Sequence, residues 1–326
     1  MPRHSMRIVA FLFISVSGTL PFLGCSGKTN AHWPVVNGPR VAVSFPPLYC
    51  FAANVVGDKG TVKSVLTAQG PHHADTNVQE RVILEEADLF LVNGLGLDDT
   101  LARGLASSTG NKKLKIVELG EKLPGIMLLG SDGSCCHHED GPSGHNHAHD
   151  PHIWLSPVVA QKLVEEIRTT LRTANSSDAA TYDKNAAEYL AKLQQLTADG
   201  KAMLKGKKER NIITMHGSMG YFARAFDLNI VGVIQKTPGQ EPNPNDLKAL
   251  IADCVKNKAR VIAVEPQYGS QGAPKQIKEE LERSGIDGVE IVELDTLETA
   301  IPAELNPGWY EKKMRANLET LAKVLR

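Results

Sequence analysis

Gly133 to Pro157 reads GSCCHHEDGPSGHNHAHDPHIWLSP. Six of the chain's eleven histidines fall inside it: His137, His138, His145, His147, His149 and His152. The first five sit among Gly, Ser, Pro, Asn, Asp and Glu. That composition cannot bury an apolar face, so it reads as a solvated loop. His152 differs. Asp150-Pro151-His152-Ile153-Trp154-Leu155 is half apolar and runs into Ser156-Pro157, an N-cap followed by proline at the first helical position. A histidine on ordered backbone beside a loop full of imidazoles suggests one fixed metal ligand next to a metal-collecting tether. The plainer alternatives are a core histidine and a low-complexity surface loop.

On either side of this stretch the chain alternates strand and helix. Val41 to Phe45 reads as a short buried strand. Leu48, Phe51, Ala52 and Val55 follow at helical spacing, closed by Gly57. Thr61 to Leu66, Leu89 to Asn93 and Lys115 to Leu119 read as further strands, with helices at 77–87 and 98–106. Beyond the loop, Ser156 to Arg172 is amphipathic, and a longer helix is expected over 178–206. In it Tyr182, Ala186, Tyr189, Leu193 and Leu196 repeat at helical spacing, a stripe long enough to pack along two bodies. The alternation then restarts with strands at 211–214, 230–233, 261–265 and 289–294, and Trp309 to Leu325 lines a closing helix. The expected fold is α/β: two lobes, each a mostly parallel sheet flanked by helices, joined by a long rigid helix. The N-terminal lobe spans 41–177, including the His-rich loop at 133–150, and the C-terminal lobe 207–326.

The net charge of −1 and the lack of a basic cluster argue against nucleic acid as a partner. The N-terminus reads as an export signal. Arg3 and Arg7 precede the apolar run Ile8 to Val16, whose nine residues fall short of the roughly 20 a membrane-spanning helix needs. Phe22-Leu23-Gly24-Cys25 resembles the cleavage box of bacterial lipoproteins, in which the cysteine is lipidated, with Phe22 where leucine is usual. Residues 1–25 are therefore expected to be a lipoprotein signal, with simple secretion as the alternative, and 26–40 a polar tether. Cys50 and Cys254 lie in amphipathic helical patterns and read as small core residues. Cys135 and Cys136, in the His loop, could serve as soft metal ligands or form disulfides.

Four residues occupy equivalent places in the two halves. His72 follows the second strand and His152 the last strand of the first half. His216 ends the first strand and Asp295 the last strand of the second. In open α/β sheets ligands bind beyond the carboxyl ends of strands. If the lobes face each other there, three imidazoles and a carboxylate can meet as Zn²⁺ ligands, about 2.0–2.2 Å from the ion. His73 competes with His72, and Glu265 is a competing carboxylate. His216 also fits a core histidine, and Asp295 a helix cap.

The chain resembles the zinc and manganese branch of solute-binding proteins of bacterial ABC importers. The matching runs are PHHAD, EEADLFLVNGLGLD (Glu85 to Asp98), DPHIWLSP, TMHGSMGYFARAFDL (Thr214 to Leu228), VEPQ (Val264 to Gln267) and LDTL (Leu294 to Leu297). They stand in the family's order and cover nearly the whole mature chain. The resemblance implies two α/β lobes joined by a long helix, with metal between them on His72, His152, His216 and Asp295. It favours His72 over His73, because His72 keeps the Pro-His step and the three-residue offset to an acid, although the usual Tyr/Phe-Glu-Pro continuation is replaced by His73-Ala74-Asp75-Thr76-Asn77-Val78. Three imidazoles favour zinc over manganese. The resemblance also implies that zinc members carry a His- and acid-rich loop where 133–150 lies.

The function expected is thus capture of Zn²⁺ outside the cytoplasm and its delivery to an ABC importer permease with its ATPase. The protein is expected to be a monomer, periplasmic or lipid-anchored, without enzymatic activity. Mn²⁺ is the alternative cargo. The alternative functions are a zinc-dependent hydrolase, for which no HExxH or GxSxG motif is present, and a metal buffer or adhesin.

Overall fold

A computed structural model describes residues 33–34, 37–73, 78–130, 149–267 and 272–326. Cys25, Cys135, Cys136, His137, His138, His145 and His147 lie outside the described residues, as does the side chain of His73.

The first half runs β1 (Arg40–Val43), α1 (Pro46–Val56), β2 (Thr61–Ser64), α2 (Val78–Glu85), β3 (Leu89–Val92), α3 (Asp99–Thr109) and β4 (Lys115–Glu118). Its four strands pair in parallel in the order β2-β1-β3-β4. Two helices follow, α4 (Pro157–Ala174) and α5 (Ala179–Met203). The second half runs β5 (Asn211–Thr214), α6 (Gly220–Phe226), β6 (Asn229–Val233), α7 (Pro244–Lys256), β7 (Val261–Val264), α8 (Ala273–Arg283), β8 (Glu290–Glu293) and α9 (Trp309–Val324). Its strands are again parallel, in the order β6-β5-β7-β8. The two halves therefore share one topology. In each, the chain leaves the first strand to one side and crosses back to the other. That opens a crevice between β1 and β3, and another between β5 and β7, at the carboxyl ends of the strands.

The inner strands are apolar because helices cover both faces of the sheet. Every residue of β3 and β7 is buried. Ser156 caps α4, its hydroxyl accepting the Val159 N–H at 3.3 Å. Val159, Leu163, Val164, Ile167 and Leu171 are all buried along that helix. On α5 the whole stripe of Tyr182, Ala186, Tyr189, Leu193 and Leu196 is buried, and α5 packs against α1, α4, α6 and α9. Gly200 completes the stripe: a Cβ there would stand 2.4 Å from Phe226 Cε1 and 2.8 Å from Leu318 Cδ1, so only glycine lets α6 and α9 approach this closely.

One hydrophobic core consequently runs from Val41 and Phe51 through Tyr189 to Phe222 and Leu318, joining the two lobes. A second, around Ile213, Ile262, Ile277 and Cys254, lies under α7 and α8 and belongs to the C-terminal lobe alone. Cys50 and Cys254 are free, buried thiols within these cores. Trp33, in the stretch expected to be a polar tether, is buried against the first lobe, its indole N–H donating to the Ile83 carbonyl at 3.0 Å. Among the described residues no helix is long and apolar enough to cross a membrane.

Candidate metal centre

The topology brings four side chains to one point between the lobes. His72 sits in a single 3-10 turn, Pro71–His73, after β2. His152 precedes the 3-10 turn Ile153–Leu155 that leads into α4. His216 lies two residues beyond β5, and Glu298 five beyond β8. One ligand atom from each falls within 4.8 Å of the others. The Nε2 atoms of His72 and His152 are 3.0 Å apart. Glu298 Oε1 stands 3.7 Å from His72 Nε2, 4.0 Å from His152 Nε2 and 3.7 Å from His216 Nε2. A tetrahedron with bonds of 2.0–2.2 Å has edges of about 3.4 Å, so the four atoms need only small shifts to grip one small cation. His152 and His216 are fully buried, and Glu298 is 6 % exposed.

Glu298 Oε1 is buried without a hydrogen-bond donor. Burial pushes this carboxyl up to about 7, with Glu265 and Asp295 adding to the rise and His216 opposing it. A buried carboxylate oxygen lacking a donor is costly unless a cation meets it.

Two carboxylates behind the imidazoles fix which nitrogen faces the centre. Asp150 Oδ1 lies 2.7 Å from His152 Nδ1 and also accepts the His152 backbone N–H at 2.9 Å. Glu265 Oε1 lies 2.5 Å from His216 Nδ1, while its Oε2 accepts from Gln267 at 2.8 Å and Thr296 at 3.4 Å. A proton held at Nδ1 leaves the Nε2 lone pair directed at the shared point. The strand register explains the second contact. Thr214 pairs with Ala263 in the β5–β7 ladder, so two residues further on His216 and Glu265 are side by side. The two rings titrate in opposite directions. Burial, then the neighbouring His216, holds His152 well below the usual imidazole range. Burial also acts to lower His216, but the charge and hydrogen bond of Glu265, followed by Glu298 and Asp150, prevail and raise it.

Three further hydrogen bonds hold the ligand-bearing loops. Asn93 Nδ2, just past β3, donates to the Pro151 carbonyl at 2.9 Å. The Tyr221 hydroxyl of α6 donates to the Asp150 carbonyl at 2.8 Å. The Ala300 N–H donates to the Thr67 carbonyl at 2.7 Å, linking the Glu298 turn to the His72 loop.

The sequence-expected residues are thus only partly reunited. His72, His152 and His216 converge, but Asp295 does not join them. Its Oδ2 pairs with Lys313 Nζ at 2.8 Å and its Oδ1 accepts the Leu297 N–H at 2.8 Å. It closes a turn in which Leu297 takes a positive φ of 61°, and that reversal carries the next residue, Glu298, into the cleft. The acid at the end of LDTLE was the available signal, but an irregular turn has no period from which to tell which of two acids points inward. Glu265 is also outside the cluster, serving the far nitrogen of His216. His73 ends the same 3-10 turn as His72. His149 forms an isolated antiparallel bridge with Gly130 and is not part of the cluster.

Comparison with known proteins adds to this geometry. Residues 41–324 match the family described as zinc-uptake complex component A, periplasmic (ZnuA). Zinc-binding protein AdcA of Streptococcus pyogenes serotype M6 is 32% identical over 295 residues, covering 86% of this chain and 55% of AdcA, so the chain spans about half the length of that relative. The high-affinity zinc uptake system protein ZnuA of Bacillus subtilis is 30% identical over 317 residues, with 95% of each chain covered. Among solved structures, the solute-binding protein FpvC of Pseudomonas aeruginosa in complex with Mn²⁺ superposes with a TM-score of 0.73 at 25% identity, over 89% of this chain and 98% of FpvC. The Zn(II)-bound ZnuA-like domain of Streptococcus pneumoniae AdcA does so with a TM-score of 0.65 at 26% identity, over 89% and 99%.

Proposed function

The chain belongs to the periplasmic zinc-uptake component A family, and from that premise we propose that it captures one Zn²⁺ ion between its lobes and delivers it to the permease of an ABC importer. The observation that carries this reading is the convergence of three imidazole Nε2 atoms and one carboxylate oxygen within 4.8 Å. His72, His152, His216 and Glu298 are the proposed ligands. Three nitrogens and one oxygen favour Zn²⁺ over Mn²⁺ by intrinsic affinity, and the curated relatives carry zinc in their names.

The protein works without chemical turnover. A catalytic zinc site keeps three protein ligands and an open position for water. Here Glu298 supplies a fourth ligand, which supports storage of the ion over hydrolysis. Binding displaces protons from Glu298 and His216 to solvent, and the ion takes the place of the proton on the buried Glu298 carboxyl. The common core beneath α5 restricts the lobes to small relative movements, so release requires an outside agent. That agent is the permease, docked at the extracytoplasmic membrane face and driven by its ATPase. The protein acts as a monomer, either free in the periplasm or anchored through a lipid on Cys25. The imidazoles of His137, His138, His145, His147 and His149 raise the local zinc concentration.

Equilibrium titration against a chelator of known affinity tests the assignment. His216→Ala is expected to weaken zinc binding sharply, while deletion of 133–149 retains one tightly bound ion per chain. Unchanged affinity in the alanine variant would refute it.

A further inference from the structure

The Glu298 carboxylate is held from both sides. Oε1 faces the three imidazoles at 3.7–4.0 Å. Oε2 lies against Gly70, where a Cβ would stand only 3.0 Å from that oxygen and 3.5 Å from Glu298 Cβ. Gly70 cannot retreat freely, because its loop is fastened by the bond from Ala300 N–H to the Thr67 carbonyl at 2.7 Å. Two residues on, the same loop presents His72. The loop bearing one nitrogen ligand and the turn bearing the oxygen ligand are therefore joined side by side, with the bare Cα of Gly70 as the spacer between them.

We infer that Gly70 is a specificity-determining residue: by its lack of a side chain it seats Glu298 so that one carboxylate oxygen alone reaches the ion. This rests on the zinc-binding reading above and adds the ligation mode. One oxygen and three imidazole nitrogens make a four-coordinate set, the number structural zinc prefers. Manganese is suited by carboxylate and water oxygens in octahedral geometry, and a bidentate carboxylate would raise the coordination number in its direction. A Cβ at position 70 would stand 3.0 Å from Oε2, so that oxygen has to give by a few tenths of an ångström, and the expected response is a turn of the carboxylate. The spacer thus acts on the choice between ions without touching the ion.

Gly70→Ala and Glu298→Gln test this in the full chain, using Co²⁺ as the spectroscopic probe and Zn²⁺ and Mn²⁺ in competition titrations. The parent Co²⁺ form is expected to show the intense visible bands of four-coordinate cobalt. Gly70→Ala should weaken those bands and lower the ratio of zinc to manganese affinity by about tenfold or more. Glu298→Gln, which retains a single carbonyl oxygen, should bind more weakly yet keep the four-coordinate spectrum. Circular dichroism of the apo variants establishes that both are folded, and Glu298→Gln alone still decides the ligation mode should Gly70→Ala not fold. A weak five- or six-coordinate parent spectrum, a Gly70→Ala variant with parental ratio and spectrum, or a coordination number that changes in Glu298→Gln would overturn the inference. Each of those results leaves metal binding at the site intact. Absence of a bound ion in the parent, by contrast, would refute the functional reading itself.

Discussion

The indole Nε1 of Trp154 donates to the backbone carbonyl of Thr296 at 2.8 Å, across 142 positions of sequence. Trp154 lies two residues after His152 and Thr296 two before Glu298, so this bond ties together loops that present two of the proposed ligands. The Trp154 carbonyl in turn accepts the Tyr310 hydroxyl at 2.7 Å, and Phe45 packs edge-on to the Trp154 ring at 4.7 Å. The N-terminal-lobe loop is thereby built into the C-terminal lobe.

Trp154→Phe keeps an aromatic ring but removes the donor. The Thr296 carbonyl is then left buried without that partner, a loss of about 1–3 kcal/mol. Zinc affinity should fall too, since the spacing of His152 and Glu298 is no longer set. Thermal unfolding of apo and zinc-loaded protein would check both; a variant as stable and as tight-binding as the parent would show that the bond has no positioning role.

Glu298 and Asp295 are three residues apart and have separable roles. Glu298→Ala removes a ligand and should weaken zinc binding strongly with little loss of apo stability. Asp295→Ala releases Lys313 and the Leu297 N–H, so it should lower stability by about 1–3 kcal/mol and zinc affinity less. Chelator competition and urea unfolding of the two variants distinguish these outcomes. The reverse ranking in affinity would return the ligand role to Asp295.

The pH dependence has a definite sign. The Glu298 carboxyl is raised to about 7 in the folded apo protein, chiefly by burial. The folded state therefore holds a proton that the unfolded state has released. This contribution to apo stability is fully present below the ordinary carboxyl range and is lost as pH rises through about 7. His216, raised by Glu265 against the effect of burial, acts in the same direction. His152 is depressed by burial, so its contribution is present above the ordinary imidazole range and lost as pH falls. Glu298→Gln should consequently flatten the decline in apo stability between about pH 5 and 8, measured by denaturant titration at each pH. Zinc affinity has the opposite slope, rising over this range because binding expels the protons.

Glu265→Gln keeps an oxygen for His216 Nδ1–H but removes the charge. Zinc affinity should drop by about 10–100-fold, the usual effect of losing a carboxylate behind a ligating imidazole. Nitrogen-15 NMR of the imidazoles would report whether the Nδ1–H tautomer of His216 is less populated. Parental affinity would mean that Glu265 is only a packing partner.

Much of the architecture was readable along the chain because its determinants are local. Short apolar runs separated by helical stripes identified the alternation, and Ser156-Pro157 marked the start of α4 through capping chemistry that involves only its own first turn. The position of His152 beside a structured run separated it from the histidines before it. Trp33 was not readable in the same way: nothing in the stretch around it indicates that its indole is buried, lies under the Lys63 ammonium and reaches the Ile83 carbonyl.

By itself the sequence determined the two-lobed α/β plan and the buried stripe of the connecting helix, since both follow from periodicity along the chain; it offered His72, His152 and His216 only as candidate ligands, and the choice of His72 over His73 rested on the family resemblance. Only the tertiary structure decided the fourth member of the cluster and the roles of the acids around it. Asp295, Glu298 and Glu265 are chemically alike and all follow strands. Which one meets the imidazoles depends on a left-handed turn at Leu297, the register of β5 against β7, and a lysine on α9, and these are relations among distant segments that no local pattern encodes.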